Sequence, residues 1–392
     1  MSKIPTIPGQ VLTAPDEANF LKSLVQGLCN TRTRSFPGSQ PVSFTWKSLQ
    51  SLEKQDYWVC EKSDGVRCLL LILMNGSTQE QETYFIDRKN IYRRVYGLQF
   101  PHHEDSTLST PAANTILDGE LVIDHDEQTG EDTLRYLAFD LLVLAGDSLA
   151  EKSLQSRYGR LKSWVIEPYK KLLAKNGNKS QPFELKLKTM ERAYSIEQVF
   201  NEHIPRLKHG NDGLIFTCAE SGYVNGTDSR IIKWKEPSEN SIDFKIMLRF
   251  PPLEGSDRDL DFSKKPICEL HQWEGGKMYR WYDNWDITDE EWRNSNKDGI
   301  DLHDKIGEFS WSDDKQDWRF LRIRDDKLDG NHCTVVDKII ESIKDGVKAS
   351  ELIENAPRIR STWKEREQRR SGGLPSQAQP SPSKPSQMRI VQ

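Results

Sequence analysis

The sequence predicts an α+β chain: antiparallel sheets with flanking helices, then a small β-barrel, then helices. Strand-like and helical segments alternate irregularly over the first 240 residues, without the strand–helix repeat of a parallel α/β fold. After Pro237 the pattern changes, and five strand candidates separated by turn residues crowd into fewer than a hundred residues. From about Cys333 the apolar periodicity is helical.

Residues 14–29 set Phe20, Leu21, Leu24 and Leu28 at helical spacing behind acids in the first turn, so a helix is expected. FPGSQPVS, residues 36–43, has loop composition, and a second helix over about residues 43–54 leads into the strand YWVCEK. SDG then turns the chain into RCLLLILM, an unbroken apolar run that reads as a strand buried on both faces. ETYFIDR, TILDGELVID and LRYLAFDLLVL are further strands, followed by a helical tract over residues 154–174. PFELKLKTM is a strand, residues 196–205 a helix, and the strands DGLIFTCA and RIIKWK complete a first unit, residues 1–240.

IDFKIMLRF, PICELHQWE, KMYRWYDNW, KIGEFSWS and DWRFLRIR make a second unit, residues 241–330, for which the OB-fold is the leading architecture. Residues 331–370 read as helical. Residues 371–392, rich in Ser, Pro and Gln, read as a disordered tail.

The 392 residues are 35% hydrophobic and 29% charged, the balance of a globular chain. No apolar run approaches the roughly 20 residues that span a bilayer. The first residues lack the basic and apolar blocks of a signal peptide, so an intracellular place and no membrane partner are expected. The six cysteines show no CxxC spacing and are expected to be reduced and structural. A net charge of −5 argues against an electrostatic grip on a long nucleic acid. Contact with one should be local, at an end, inside a focused positive cleft.

Chemistry begins at EKSDGVR, residues 61–67, where a lysine ends a strand, Asp-Gly turns the chain and an arginine starts the next strand. The phosphate-cradling GxxxxGK[ST] loop is absent from the sequence. The Lys62 amine would instead be presented into a cleft, as a nucleophile once neighbouring cations depress its pKa. A lone KxDG match arises by chance in roughly one protein in ten of this length, so its company decides.

That company is ordered. FIDRKN carries Asp87 and Arg88, LDGE Asp118 and Glu120, YLAFD Phe139 and Asp140, and NDGLIF Asp212. IIKWK puts Lys233 and Lys235 on one strand face, with Trp234 on the other. WRFLRIRDDK carries Arg322, Arg324, Asp326 and Lys327. Singly, Phe139 is a core aromatic, the lysine pair a solvated face and Asp118 a turn residue. Together, strand-end carboxylates and lysines supply oxygen ligands for a hard cation and fixed positive charge around phosphates.

EKSDGVR, LDGELV, YLAFDLL, DGLIFT, IIKWKEPSENSIDF and WRFLRIRDDK, in this order, resemble the motifs of the eukaryotic mRNA capping guanylyltransferases. These belong to the covalent nucleotidyltransferase superfamily, with the polynucleotide ligases. FPGSQPVSF and RDDKLDGNH resemble the single-function fungal capping enzymes, and the resemblance runs over residues 36–332. It implies a ligase-like nucleotidyltransferase domain and an OB-fold domain acting together on GTP. Lys62 would form a lysyl-N-GMP adduct and pass GMP to the 5′-diphosphate end of nascent mRNA, making the GpppN cap.

The same resemblance implies roles for the neighbours. Asp64 and Gly65 would shape the turn, Arg67 would contact the ribose or terminal phosphates, and Arg88 the ribose. Glu120 would bind the ribose or help hold Mg²⁺ (or Mn²⁺), Phe139 would stack on guanine, and Lys188 would read the guanine edge. Asp212 would serve the metal and phosphate region. Lys233 and Lys235 would grip the α-phosphate, and Asp243 would complete that site. Arg324, Asp326 and Lys327, in the small domain, would orient the pyrophosphate. Closure of one domain on the other is therefore expected, with hinges near residues 237–242 and 328–332.

A cysteine phosphatase needs HCxxxxxR, and His332-Cys333 is followed by TVVDKI. A separate RNA triphosphatase subunit is therefore expected as a partner. The phosphorylated C-terminal domain of RNA polymerase II and a nuclear location follow from the fungal resemblance. Two rivals share many of these residues: an ATP-dependent polynucleotide ligase and a non-catalytic RNA-end binding protein.

Overall fold

The computed structural model describes residues 3–177, 180–255, 259–297, 301–312 and 314–371. The chain begins β1 (Gln10–Val11), α1 (Pro15–Leu28), β2 (Ser39–Ser43), α2 (Trp46–Lys54), β3 (Tyr57–Ser63) and β4 (Val66–Met74). It continues β5 (Gln81–Asp87), β6 (Tyr92–Val95), β7 (Thr115–His125), β8 (Asp132–Leu144) and β9 (Asp147–Ser148). Then α3 (Leu154–Arg160), the π-helical Leu161–Ile166 and α4 (Glu167–Lys175) run on without a break. After them come β10 (Glu184–Leu187), β11 (Glu191–Arg192), α5 (Ile196–Gln198), β12 (Asn211–Cys218) and β13 (Gly226–Trp234). The remainder is β14 (Ser241–Arg249), β15 (Ile267–Gly275), β16 (Met278–Trp285), α6 (Asp289–Lys297), β17 (Ile306–Ser312), β18 (Asp317–Ile323), α7 (Cys333–Lys344) and α8 (Ala349–Ser371).

These strands build three sheets, so the chain is α+β with predominantly antiparallel sheets. The first has the order β1-β6-β5-β4-β7-β8-β10, with β9 added to β8; only β10 pairs in parallel. The unbroken apolar run of β4 is explained by burial on both faces. Cys68, Leu70 and Ile72 enter a core with Leu161, Val165 and Tyr169, while Leu69 and Leu71 enter one with Leu21 and Val25 of α1.

The second sheet has the order β11-β3-β12-β13-β2, and its core joins Val59, Phe216, Ile232 and Trp234 to Leu352 and Ile359 of α8. The third, β16-β15-β14-β17-β18, contains the five strands expected after Pro237 and packs Phe244, Trp285, Phe309 and Trp318 together.

The two last helices serve different bodies. Val336, Ile339 and Ile340 of α7 pack on the third sheet. By contrast α8 returns to the second: the Trp234 indole N–H donates to the Val347 carbonyl at 2.7 Å, and Arg366 Nε to buried Asp56 at 2.8 Å. The third sheet is thus tethered at both ends, near Pro237 and near Gly346. At Gly346 a Cβ would lie 2.5 Å from Pro237 Cγ.

Residues 328–332, expected as the second hinge, are instead stitched into the third sheet. Asn331 N donates to the Asp243 carbonyl, and Asp243 N to Asn331 Oδ1, each at 2.7 Å. The stretch 36–43, expected as a loop, contains β2, whose Pro41 is tolerated because the strand is a sheet edge. The short strands β1, β6, β9 and β11 and the helix α6 carry too little apolar pattern to be foreseen. The helix expected over residues 196–205 is a succession of α, π and 3₁₀ turns. All six cysteines are free thiols. From residue 372 the expected disordered tail lies outside the described residues. Among the described residues, no helix is long and apolar enough to cross a membrane.

Candidate active site

The turn between β3 and β4 carries the chain from the second sheet to the first, and a cavity of about 310 Å³ opens where the two sheets meet. That volume is at the lower end for small-molecule sites. Of the residues expected to act, Lys62, Arg67, Arg88, Glu120, Phe139, Lys188 and Lys233 line it.

Two irregularities aim the key side chains. Opposite Lys62, β12 pairs Asn211 with Ser63 and Leu214 with Glu61, so Asp212 and Gly213 together face one residue of β3. This bulge turns the Asp212 carboxylate onto the Lys62 ammonium, with which it forms an ion pair. Gly213 sits at φ +134°, and a Cβ there would lie 2.0 Å from the Trp234 carbonyl oxygen. Gly213→Ala is therefore expected to destabilise the fold by about 1–3 kcal/mol. Urea unfolding checks this, as a lower midpoint at unchanged slope.

The second bulge lies in β8. Asp118 pairs with Asp140 and Gly119 with Ala138, which leaves Phe139 without a partner and turns its ring into the cleft. Gly119 has no room for a side chain, since a Cβ would meet Tyr136 Cζ at 2.4 Å. Beneath the ring, the Arg67 guanidinium lies 5.6 Å from its centroid, within cation–π range.

Arg67 is itself tied down. Nε and Nη2 donate to the two Asp118 oxygens at 3.0 and 2.6 Å, Nη2 reaches the Tyr223 hydroxyl at 3.3 Å, and Nη1 donates to the Ser39 carbonyl. Burial works against the charged guanidinium, but Asp118 outweighs it and holds the pKa above the ordinary arginine value. Asp118, which alone would read as a turn residue, is a fully buried anchor. Asp140 is likewise structural, clamped by Arg157 at 2.7 and 2.9 Å.

The remaining charges are arranged for a polyanion. Glu120 stands across from Arg67 in the β4–β7 register, and burial raises its pKa despite Lys188, Lys62, Arg67 and Arg88 around it. Burial lowers the Lys233 pKa, and the positive charges of Lys62 and Arg88 lower it further. Among the described residues neither Arg88 nor Lys233 is paired with a carboxylate, so both are available to phosphate oxygens. Lys188 is buried between Glu61, at 3.0 Å, and Ser63, at 2.6 Å. Burial opposes its charge, but Glu61 and Glu120 outweigh that and raise its pKa.

The other expected residues stand apart from the cavity. Lys235 follows β13, two residues beyond Lys233. Asp243, expected beside the α-phosphate lysines, is buried in β14, where its carboxylate pairs with Lys327 and with Arg324 at 3.0 Å. A buried carboxylate requires such partners. Arg324 also grips Asp326 at 2.9 Å through both Nε and Nη2, and this hydrogen bonding holds the Asp326 pKa well below the carboxylate range. Lys235 aside, the structure thus gathers the expected residues into two clusters, one in the cleft and one on the third sheet.

Sequence reasoning passed over Glu61, Ser63, Tyr223 and His209. The first two flank Lys62 and could have been found by asking what its neighbours face. Tyr223 and His209 carry no local signal. His209 arrives because the Asp64 amide donates to the Gly210 carbonyl at 2.8 Å, laying residues 209–212 beside 62–64.

Sequence comparisons with known proteins agree in one family. The family model for the mRNA capping enzyme catalytic domain matches residues 5–237, and that for the mRNA capping enzyme C-terminal domain matches residues 239–353. The mRNA-capping enzyme subunit alpha of Schizosaccharomyces pombe is 40% identical over 362 residues, covering 91% of this chain and 89% of the relative. Its Saccharomyces cerevisiae counterpart is 36% identical over 420 residues, covering 96% and 91%. Among solved structures, the ATP-dependent DNA ligase of bacteriophage T7 in complex with ATP overlays with a TM-score of 0.36 at 16% identity, covering 74% of this chain and 98% of its own.

Proposed function

The chain belongs to the mRNA capping enzyme family and is an mRNA guanylyltransferase; from that premise we propose that Lys62 carries the GMP. The observation that supports this is the convergence of Lys62, its Asp212 partner, Glu120, Phe139, Arg88 and Lys233 on one cleft. In the first step the Lys62 amine attacks the α-phosphorus of GTP. An N–P bond forms, the α–β phosphoanhydride bond breaks, and pyrophosphate leaves. Asp212, hydrogen-bonded to the amine, is placed to take the proton it sheds. In the second step a terminal oxygen of the RNA 5′ diphosphate attacks the same phosphorus. The N–P bond breaks and the lysine recovers its proton.

Phe139, bedded on Arg67, offers a stacking face for guanine, and Lys188 a donor for its edge. Glu120 and Arg88 flank the ribose, and Lys233 and Lys235 the α-phosphate. Among the described residues no three His, Cys, Asp or Glu side chains gather into a metal site. The oxygen donors Glu120 and Asp212 fit Mg²⁺ (or Mn²⁺) held largely by nucleotide oxygens, as Mg²⁺ sites with few protein ligands are. When bound, that ion would offset charge developing on the pyrophosphate.

The third sheet, read as an OB-fold, brings the Arg324, Asp326 and Lys327 cluster to the pyrophosphate by closing over the cleft. The motion is supported by the two tethers meeting at Pro237 and Gly346. Lys327→Ala is expected to slow adduct formation about 10- to 100-fold, the worth of one charge-assisted hydrogen bond. Transfer from a preformed adduct to diphosphate-ended RNA should change far less, because no pyrophosphate leaves in that step. Equal loss in single-turnover assays of both steps would overturn the role.

The relatives are named subunit alpha, which implies a second subunit for them. We take that partner here to be a separate RNA triphosphatase, with the phosphorylated C-terminal domain of RNA polymerase II as the recruiting surface and the nucleus as the location. Incubation with labelled GTP and magnesium, then with diphosphate-ended RNA, tests the whole reading: an acid-labile protein adduct should form and be discharged onto the RNA.

A further inference from the structure

A buried chain of hydrogen bonds runs beneath the nucleophile, and of its members only Lys188 has a role above. His209 Nδ1 lies 2.6 Å from Asp124 Oδ1, and its Nε2 lies 3.2 Å from Ser63 Oγ. Ser63 Oγ in turn accepts from Lys188 Nζ at 2.6 Å, and Lys188 also bonds Glu61 at 3.0 Å. Ser63, Lys188 and Glu61 are all buried, and all three line the cleft.

The direction of each bond follows from what each group can do. Asp124 is held by Arg135 and accepts, so His209 Nδ1 carries the proton and Nε2 offers a lone pair. Lysine only donates, so the Ser63 hydroxyl receives from Lys188 and gives its own hydrogen to His209. Its other acceptor, Glu61 Oε1, lies farther away, at 3.4 Å against 3.2 Å for His209 Nε2, and also accepts from Lys188. Burial lowers the pKa of the imidazole, and Lys188 and Arg135 add to this against the opposing Glu61 and Glu120, which favours the neutral ring. Two ammonium hydrogens of Lys188 are used, and one is left for the cleft. The pair therefore shows a ligand one donor, from Lys188, beside one acceptor, Ser63 Oγ.

We propose that His209, fixed by Asp124, is a positioning residue that locks Ser63 as an acceptor and so sets the purine preference of the site. This rests on the reading of Lys188 as the base-facing lysine. A donor beside an acceptor complements the O6 and N1–H of guanine and is mismatched twice against the N6–H and N1 of adenine. Without His209 the Ser63 hydroxyl keeps only the longer 3.4 Å contact to Glu61 and can turn to donate to adenine N1, so that one mismatch disappears.

The test is covalent labelling of the full chain with GTP and with ATP over a range of concentrations. His209→Ala should raise the half-saturating GTP concentration and lower the GTP-over-ATP preference by about tenfold, the worth of one hydrogen bond, with the maximal GTP rate retained. His209→Leu, which fills the space but accepts nothing, should do the same. His209→Gln, whose amide oxygen can accept from Ser63, should restore the preference. In a Ser63→Ala background, losing His209 should change the preference no further.

An unaltered GTP-to-ATP ratio in both His209→Ala and His209→Leu would overturn the proposal. So would a failure of glutamine to rescue, or further loss in the Ser63→Ala background. These outcomes leave the covalent reading intact, whereas an unsubstituted chain that forms no adduct overturns both.

Discussion

Lys62→Ala will form no covalent complex with labelled GTP under conditions that label the unsubstituted chain to completion. The argument is one of replacement. The adduct needs an amine at the mouth of the cleft, and the other lysine that lines the cavity floor, Lys188, is spent on Ser63 and Glu61. Lys233 lies two strands away from Lys62 in the second sheet, on β13. Lys62→Arg should be equally inert, since a guanidinium stays protonated and is no nucleophile. The fold should survive, because the Lys62 and Asp212 side chains are 30% and 36% exposed and water can replace their contact. A partly solvated pair of this kind contributes at most about 1 kcal/mol. Unfolding curves that nearly superimpose, with labelling gone, are the expected result. An acid-labile label retained by Lys62→Ala would remove the premise of the two-step mechanism.

How much of this was legible in sequence depends on how far apart the cooperating residues lie. EKSDGVR declares its lysine, turn and arginine within seven residues, and β4 declares its double burial by an unbroken apolar run. Phe139 and Asp212 could be named, but not the bulges that aim them, because a bulge is a register relation between two strands. The chain from Asp124 to His209 spans 85 residues and that from Lys188 to Ser63 spans 125, so no local pattern announces either. Asp118 looked like a turn residue because Gly119 follows it. That glycine instead makes room for Tyr136 under a continuous strand. A related reason hides the tie at residues 328–332: Asn331 looks like loop, and only the fold shows it bonded to Asp243.

Asp118→Ala should have the largest effect on stability of any single change in the cleft. The guanidinium of Arg67 would then be left buried with only the Tyr223 hydroxyl and the Ser39 carbonyl, at a cost of about 3–5 kcal/mol. That is a large share of the 5–15 kcal/mol typical of a folded domain, so the urea midpoint should fall steeply.

The same pair also separates fold from function. Replacing the whole buried group by apolar side chains (Arg67→Met, Asp118→Leu and Tyr223→Phe together) removes every unpaired charge and the hydroxyl that donates to Asp118 at 2.5 Å. Buried ion clusters replaced in this way are commonly neutral or more stable, so the midpoint should return towards that of the unsubstituted chain. Covalent labelling by GTP should not return with it. The ring of Phe139 would have lost the cation on which it rests, and the wall of the cleft its fixed positive charge. If the apolar triple substitution restored both stability and labelling, Arg67 would be a structural residue alone, and nucleotide binding would rest on Arg88, Lys188 and Lys233.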